Sequence, residues 1–517
     1  MIATKATKKQ PLRTPSSQSR NQPPRTQRTL GMRSVLSVLS GLILVFSVAA
    51  IAQQRPDRSK PPALGPAPAL NLAPIQKRML SNDLAVWIVE AHEVPLVQVN
   101  LLVQGGSGDD GPGKFGVASL TAAMLDEGAD SRSALQISDE VEFLGASLST
   151  TSGWDASAVR LNVPAARLQE ALPIMADVAL RPTFPQAELD RLRQERLTAL
   201  LQARDDPASV APTAFARVLY GRAHRYGTAA MGTEATLEAF TVSDLKSFHA
   251  TVYAPWNAAL VVVGDVTAAA VMPLLEKQFG GWRAVSPARP GGTIGERAPL
   301  SPALRLDRTE IVIVDMPGAE QSQVRIGAVG VPRSTPDYFT LQVLNTVLGG
   351  SFTSRLNLNL REKNQFSYGA SSRFDMRLYP GPFFAGAGIQ TDKTPEAIRE
   401  FFNELTAIAR PVAAEELAKA KNYVALGFPS EFETIEDLAS HLEEMIVYTL
   451  PDDYFSQYVD NIQAVTAPAV QKAAATYIQP NRFAVVIAGD RKAIEAGLQK
   501  LNLGPIRVMS LDEAMGS

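Results

Sequence analysis

"YAPWNAALVVVGDV", Tyr253 to Val266, is answered further along the chain by "YIQPNRFAVVIAGDR", Tyr477 to Arg491. Each begins on an aromatic residue, passes through Pro and Asn, and then runs through β-branched and small apolar residues to Gly-Asp. The correspondence continues outward. "AVWIVEA" (85–91) matches "EIVIVDM" (310–316), "VQVNLLV" (97–103) matches "QVRIGAVGV" (323–331), and "FLGASLST" (143–150) matches "FSYGASSR" (366–373). All four pairs are offset by about 225 positions, which is what an internal duplication produces; a period this long implies two homologous domains rather than a solenoid.

Within a repeat the pattern runs strand, strand, helix, strand, long helices, final strand. Val97–Val103 alternates as a half-buried strand does. "PQAELDRLRQERLTALLQARDD" places Leu189, Leu192, Leu197, Leu200 and Leu201 at helical spacing, with charges opposite. The fold class expected is therefore α+β, with two homologous domains, each a mostly antiparallel sheet covered by helices, facing each other across a cleft. The domains span 75–283 and 305–505. A Pro- and Gly-rich linker (284–304) joins them and a tail (506–517) follows.

Composition narrows the function. At 517 residues the chain exceeds one core. With 45% apolar residues, 20% charged residues and a net charge of -2, nothing points to a nucleic-acid partner. Cysteine is absent, which removes disulfides, thiolate metal sites, a cysteine nucleophile and a lipoprotein attachment point. Residues 1–52 read as a secretory signal. The apolar run "VLSVLSGLILVFSVAAIAQQ" is led by Arg33 and closed by Ala50-Ile51-Ala52, so cleavage is expected after Ala52. Met32 directly precedes that basic residue and reads as an alternative start to Met1, with the stretch before it then lying upstream of the true signal. A Pro-rich tether (53–74) comes next. The expected location is the periplasm. An uncleaved signal would instead anchor the chain in the membrane facing the periplasm, and only then would a membrane be a partner.

The stretch "GVASLTAAMLDEGAD", Gly116 to Asp130, reads as a short helix with an empty face. Its frame resembles the metal-binding helix of the pitrilysin/insulinase-type zinc peptidases, the family that includes the mitochondrial processing peptidase. The resemblance covers about residues 78–505, both repeats included. In that family an H-x-x-E-H signature puts two histidines one turn apart on zinc, with the glutamate as general base. Here Gly116, Ala118, Met124, Leu125 and Gly128 fit the frame, while Ser119, Ala122 and Ala123 occupy the His, Glu and His positions. The resemblance places the family's third ligand, a glutamate, at Gln202; Glu195 lies one heptad earlier and reads as orienting or solvent-facing. None of the four replacements is a zinc ligand.

The four histidines do not rebuild a site. His92 reads as exposed, His224 as a surface or packing residue, His249 as structural on a helix, and His441, in "SHLEEMI", as part of a solvated face. "GGSGDDGPGKFG" lacks the Gly-Lys-Ser/Thr ending of a phosphate loop and reads as a flexible lead-in to the helix.

The second repeat carries the positive signal, "LGGSFTSRLNLNLREKNQFSYGASSRFD". It resembles the family's substrate-binding segment, L-R-x-K-x-x-x-Y, whose Arg and Tyr reach the substrate peptide beside the zinc; carried over, they are Arg361 and Tyr368. The first repeat has Ile137 and Leu144 at these places, and Arg355 reads as structural. The resemblance thus implies a chain with no cofactor of its own and no catalytic residue. It would be the substrate-binding subunit of a heterodimeric periplasmic zinc peptidase, whose H-x-x-E-H-containing homologous partner holds the zinc. The alternative is a structural or peptide-holding subunit, like the core subunits of respiratory complexes, with no proteolytic role.

Overall fold

The computed structural model describes residues 72–284 and 303–516, together with Gly65, Leu70 and Leu300. The signal segment (1–52), most of the tether and most of the linker lie outside the described residues.

The first repeat contains β1 (Gln76–Met79), β2 (Ala85–Glu90), β3 (Leu96–Val103), a two-residue pair β4 (Gly128–Ala129) and β5 (Arg132–Ser133), β6 (Ser147–Ser152), β7 (Ser157–Pro164) and β8 (Ala258–Gly264). Its sheet runs β1-β2-β8-β3-β7-β6. The helices of this repeat are α1 (Val117–Ala123), α2 (Ala134–Phe143), α3 (Leu168–Leu180), α4 (Gln186–Arg204), α5 (Pro207–Tyr220), α6 (Val242–Val252) and α7 (Ala268–Phe279), besides single turns. The second repeat adds β9 (Glu310–Asp315), β10 (Gln321–Val329), β11 (Ala370–Phe374), β12 (Pro382–Gln390), β13 (Ala484–Gly489) and β14 (Ile506–Met509). Read from its other end, this sheet runs β14-β9-β13-β10-β12-β11. Five strands correspond one to one. In each sheet one internal pair is parallel, β2 with β8 and β9 with β13. The sixth place differs: β1 is antiparallel to β2, whereas β14 is parallel to β9. Within the stretch that reads as a tail by sequence (506–517), Ile506–Met509 and Leu511–Met515 therefore supply a sheet edge and a short helix.

The helices of the second repeat include α8 (Tyr338–Leu348), α9 (Thr394–Ala407), α10 (Ala414–Gly427), α11 (Ile435–Tyr448) and, near the C-terminus, α12 (Leu511–Met515). Their starts are locally encoded. Ser133 and Gln136 form a capping box at α2, and Thr434 and Asp437 another at α11. Asp206 caps α5 with Pro207 at its first position, which breaks the chain away from α4.

Each sheet buries one face on its own helices. In the first, Val86, Ile88, Val97, Val99, Leu101, Leu260 and Val262 join Leu120, Leu172, Leu245 and Phe279. The opposite faces are covered by exchange. Val89, Val261 and Val263 of the first sheet pack in one cluster with Leu438, Leu442 and Met445 of α11, from the second repeat. Val312, Val314, Val486 and Ala488 of the second sheet pack with Val210, Ala211, Ala214 and Val218 of α5, from the first. The α+β class and the two homologous halves hold, and both faces of each sheet are covered, one of them by the other repeat.

A buried polar seam accompanies this exchange. Glu443 of α11 accepts from Arg160 Nε at 3.0 Å, from Arg160 Nη2 and from Asn100 Nδ2 at 2.6 Å. Asn100 in turn accepts from Gln98, and Asn162 donates to Gln98 and to Glu436.

Candidate functional site

Helix α1 stands where the first repeat's chemistry would be. It starts at Gly116, whose φ of 103° lies in the left-handed region; a Cβ there would come within 2.3 Å of the Met231 carbonyl oxygen, so glycine is required. The cap comes from outside the helix. Asp110 accepts from Gly116 N at 2.6 Å and Ala118 N at 2.9 Å. The same carboxylate is paired with Arg225 Nη2 at 2.8 Å and Nε at 3.0 Å, both side chains being almost wholly buried. Burial pushes the Asp110 carboxyl up to about 6, while Arg225 and the two helix amides pull it down. Arg225 also lies over the rings of Phe115 and Trp154. The glycine-rich segment before α1 is thus pinned at Asp110, contrary to the flexible lead-in expected from its glycines.

Ser119, Ala122, Ala123 and Gln202, where the resemblance would set zinc ligands and the general base, do not fit a metal. Ser119 and Ala123 are half-buried, Ala122 is buried, and Gln202 is exposed near the end of α4. Arg196 of α4 donates from Nη2 to the Ser119 carbonyl at 2.9 Å, which brings a guanidinium, not a carboxylate, against α1. Burial lowers the Arg196 pKa, and its Nη1 is buried without a partner. A cation beside hydroxyl and methyl groups is the wrong donor set for Zn²⁺. Among the described residues no group of three His, Asp or Glu could hold a metal ion. Glu195 is solvent-facing and lies 3.5 Å from Arg191.

The histidines have structural partners. His249 shares a hydrogen bond of 2.9 Å with the Ala179 carbonyl and stacks on Tyr253; burial lowers its pKa. His224 is buried, receives the Tyr226 amide at Nδ1 and packs between Tyr220 and Tyr226. His92 is exposed and bound to Asp265 at 2.8 Å. His441 differs from the solvated face expected of it: its ring stacks on Phe432 and its Nε2 lies 3.0 Å from the Glu431 carbonyl oxygen.

In the second repeat, Arg361 and Tyr368 occupy one connected segment between α8 and β11. Residues Arg355–Asn357 form one helical turn, which widens into a π-helix over Leu358–Lys363. Arg361 sits in that turn, its guanidinium carbon 4.5 Å from the centre of the Phe352 ring and its Nε 3.4 Å from Glu362. Tyr368 lies in the loop just before β11 with 90% of its surface exposed, so it is not a core residue. Arg355 is bidentate to Glu416, which makes it structural, as expected. Asn357 ties the segment down, donating to the Phe352 carbonyl at 2.6 Å and accepting from Ala370 N at 3.1 Å. The two counterparts in the first repeat, Ile137 and Leu144, are buried in its core.

Sequence reading missed Asp110 and the polar groups around the π turn. One signal was present: Ser133 to Gly145 is 12 positions, whereas Ser354 to Gly369 is 15, so the second repeat carries extra residues in this segment.

Two repeated α+β units with exchanged helices, a short helix without metal-ligating side chains and a segment presenting Arg361 and Tyr368 define a two-domain scaffold. Comparison with known proteins gives the family. Residues 85–225 match the model described as insulinase (peptidase family M16), and residues 239–424 match the one described as peptidase M16 inactive domain. The chain belongs to the M16, insulinase-like peptidase family. It is 24% identical over 415 residues to an uncharacterized zinc protease of Rickettsia bellii, covering 78% of this chain and 97% of that protein. It is 26% identical over 355 residues to an uncharacterized zinc protease of Mycobacterium tuberculosis, covering 68% and 78%. Among solved structures, a peptidase M16 inactive domain from Pseudomonas fluorescens superposes with a TM-score of 0.73 at 26% identity, covering 80% of this chain and 98% of that one. A protease from Helicobacter pylori shares the fold, with a TM-score of 0.72 at 21% identity over 81% of this chain and all of that one.

Proposed function

We propose that this chain is the non-catalytic, substrate-binding subunit of a heterodimeric periplasmic zinc metallopeptidase, and that Arg361 and Tyr368 complete the active site of a homologous partner that carries H-x-x-E-H. The observation that carries the reading is the exposure of Tyr368, on the segment that also presents Arg361, in a chain whose own metal helix offers only Ser119, Ala122 and Ala123. A planar guanidinium can grip peptide carbonyls in fixed geometry. A phenol O–H can donate to the oxygen on which negative charge develops during attack on the scissile carbonyl. Extended peptide would be held by strand addition. The outer edge of β6 suits this, since among the described residues its backbone makes no hydrogen bond beyond the β7 ladder.

The isolated chain should bind no stoichiometric zinc and cleave no peptide, and adding the partner should give activity. Tyr368→Phe should then lower kcat by about 10²- to 10³-fold, the usual loss for one oxyanion donor, and Arg361→Ala, which removes the grip on the peptide carbonyls, should lower activity as well. A mixture in which either variant matches wild type would refute the proposal. Export rests on the apolar run closed by Ala50-Ile51-Ala52; a mature N-terminus at Gln53 in the protein recovered from its host is the expected result.

A further inference from the structure

The two repeats treat the same segment differently. In the first, α2 is a regular α-helix, and Ile137, the counterpart of Arg361, is only 3% exposed. In the second, the chain leaves α-helical register. Asn364 N donates to the Asn359 carbonyl at 3.0 Å, five residues back, and Arg361 emerges with 36% of its side chain exposed. A π turn holds one residue more than an α turn, so it rotates the side chains that follow it around the helix axis. It also widens the backbone hydrogen-bond ring and needs outside support.

That support is a clasp of amides and carboxylates. Asn359, 8% exposed, donates through one Nδ2 to Glu400 at 2.9 Å and Glu404 at 2.6 Å, both on α9. Its Oδ1 accepts from Asn364 Nδ2 at 2.6 Å, and its backbone carbonyl accepts from the same nitrogen at 3.1 Å. Phe366 N then donates to the Leu360 carbonyl and Gln390 N to the Phe366 carbonyl, carrying the constraint to the loop that bears Tyr368. Only an asparagine-sized amide can give two hydrogens to paired carboxylates while receiving one at its oxygen. Phe352, 63% exposed, completes the arrangement from the other side as a cation–π platform for the guanidinium.

We infer that Asn359, with Asn364 and the Glu400/Glu404 pair, is a positioning residue for Arg361: the clasp locks the π turn that aims the guanidinium at the substrate peptide. This rests on the function proposed above. It adds a specific mechanical claim, that the backbone turn presenting Arg361 is held from α9, with Phe352 supporting the guanidinium.

The test uses the full chain reconstituted with its H-x-x-E-H partner and a fluorogenic peptide. Asn359→Ala should lower kcat by about 10- to 100-fold with a smaller change in KM, the scale set by a misplacement of about 1 Å. In an Arg361→Ala background the same substitution should cost nothing further, because residues that act as one unit are non-additive. In the isolated chain, amide hydrogen exchange at Asn364 and Phe366 should accelerate. Asn364→Ala, half-buried, gives the same readouts if Asn359→Ala fails to fold. Additive losses would overturn the inference, and so would full activity of Asn359→Ala beside a crippled Arg361→Ala. An Arg361→Ala variant as active as wild type would overturn both this inference and the function it rests on.

Discussion

Replacing Glu443 by alanine should separate the two repeats energetically. Glu443 is 7% exposed and enters the polar face of the first sheet from a helix of the second repeat. The substitution removes two bonds from Arg160 and one from Asn100, all to a charged acceptor. Breaking a buried ion pair by deleting one partner costs about 3–5 kcal/mol. Arg160, however, keeps 29% of its side chain in solvent and can recover water, which argues for the lower end. Asn100 is fully buried and cannot; an orphaned buried donor costs about 1–3 kcal/mol. Together these give a loss of about 2–4 kcal/mol. Glu443→Gln keeps an acceptor and should lose less, and the apolar pair Arg160→Met with Glu443→Leu should recover most of the loss. Urea unfolding would be followed by tryptophan emission and by far-UV circular dichroism. All four tryptophans, Trp87, Trp154, Trp256 and Trp282, lie in the first repeat, and Trp87 and Trp154 pack at its seam with the second, so emission reports on the first repeat and that seam. In Glu443→Ala the emission transition should shift to lower urea and precede the dichroism transition. A shift worth under about 0.5 kcal/mol, the noise of an ordinary surface change, would refute the reasoning.

Two other outcomes follow from burial. Asp110→Ala leaves Arg225 buried beside two uncapped helix amides and should cost about 3–5 kcal/mol; faster amide exchange at Gly116 and Ala118 locates the damage. His249 has its pKa lowered by burial, so its contribution to stability is complete above its unfolded value of about 6.5 and is lost as pH falls below it. His249→Phe should flatten the fall in stability between neutral and mildly acidic pH, while lowering the neutral value by leaving the Ala179 carbonyl unpaired; an unchanged slope would contradict this.

Local and repeated features were legible in the sequence, and long-range ones were not. The four matched stretches fall on β2 and β9, β3 and β10, β6 and β11, and β8 and β13, so the duplication read from strings is the duplication of the sheets. The frame of α1 was readable because glycine, alanine and leucine spacing is local. Periodicity does not say whose sheet a helix covers. The apolar stripes of α5 and α11 look like any others, yet each serves the other repeat. His441 carried the same ambiguity, since a histidine followed by two glutamates reads as surface until Phe432 is folded against it. The "tail" failed for a related reason: Ile506–Met509 is too short to announce a strand, and only the free side of β9 makes it one. Glycine density suggested a flexible segment before α1, but a single buried carboxylate at Asp110 outweighs that freedom.

The exchange of helices sets an order on synthesis. When the ribosome has finished the first repeat, Val89, Val261 and Val263 still face water, because Leu438, Leu442 and Met445 do not yet exist. The nascent first sheet must wait for most of the second repeat before its outer side is dry. Its apolar strands are meanwhile open to the wrong neighbour. Separated at the linker, each piece would leave one apolar face of its sheet uncovered, however clearly the sequence divides in two.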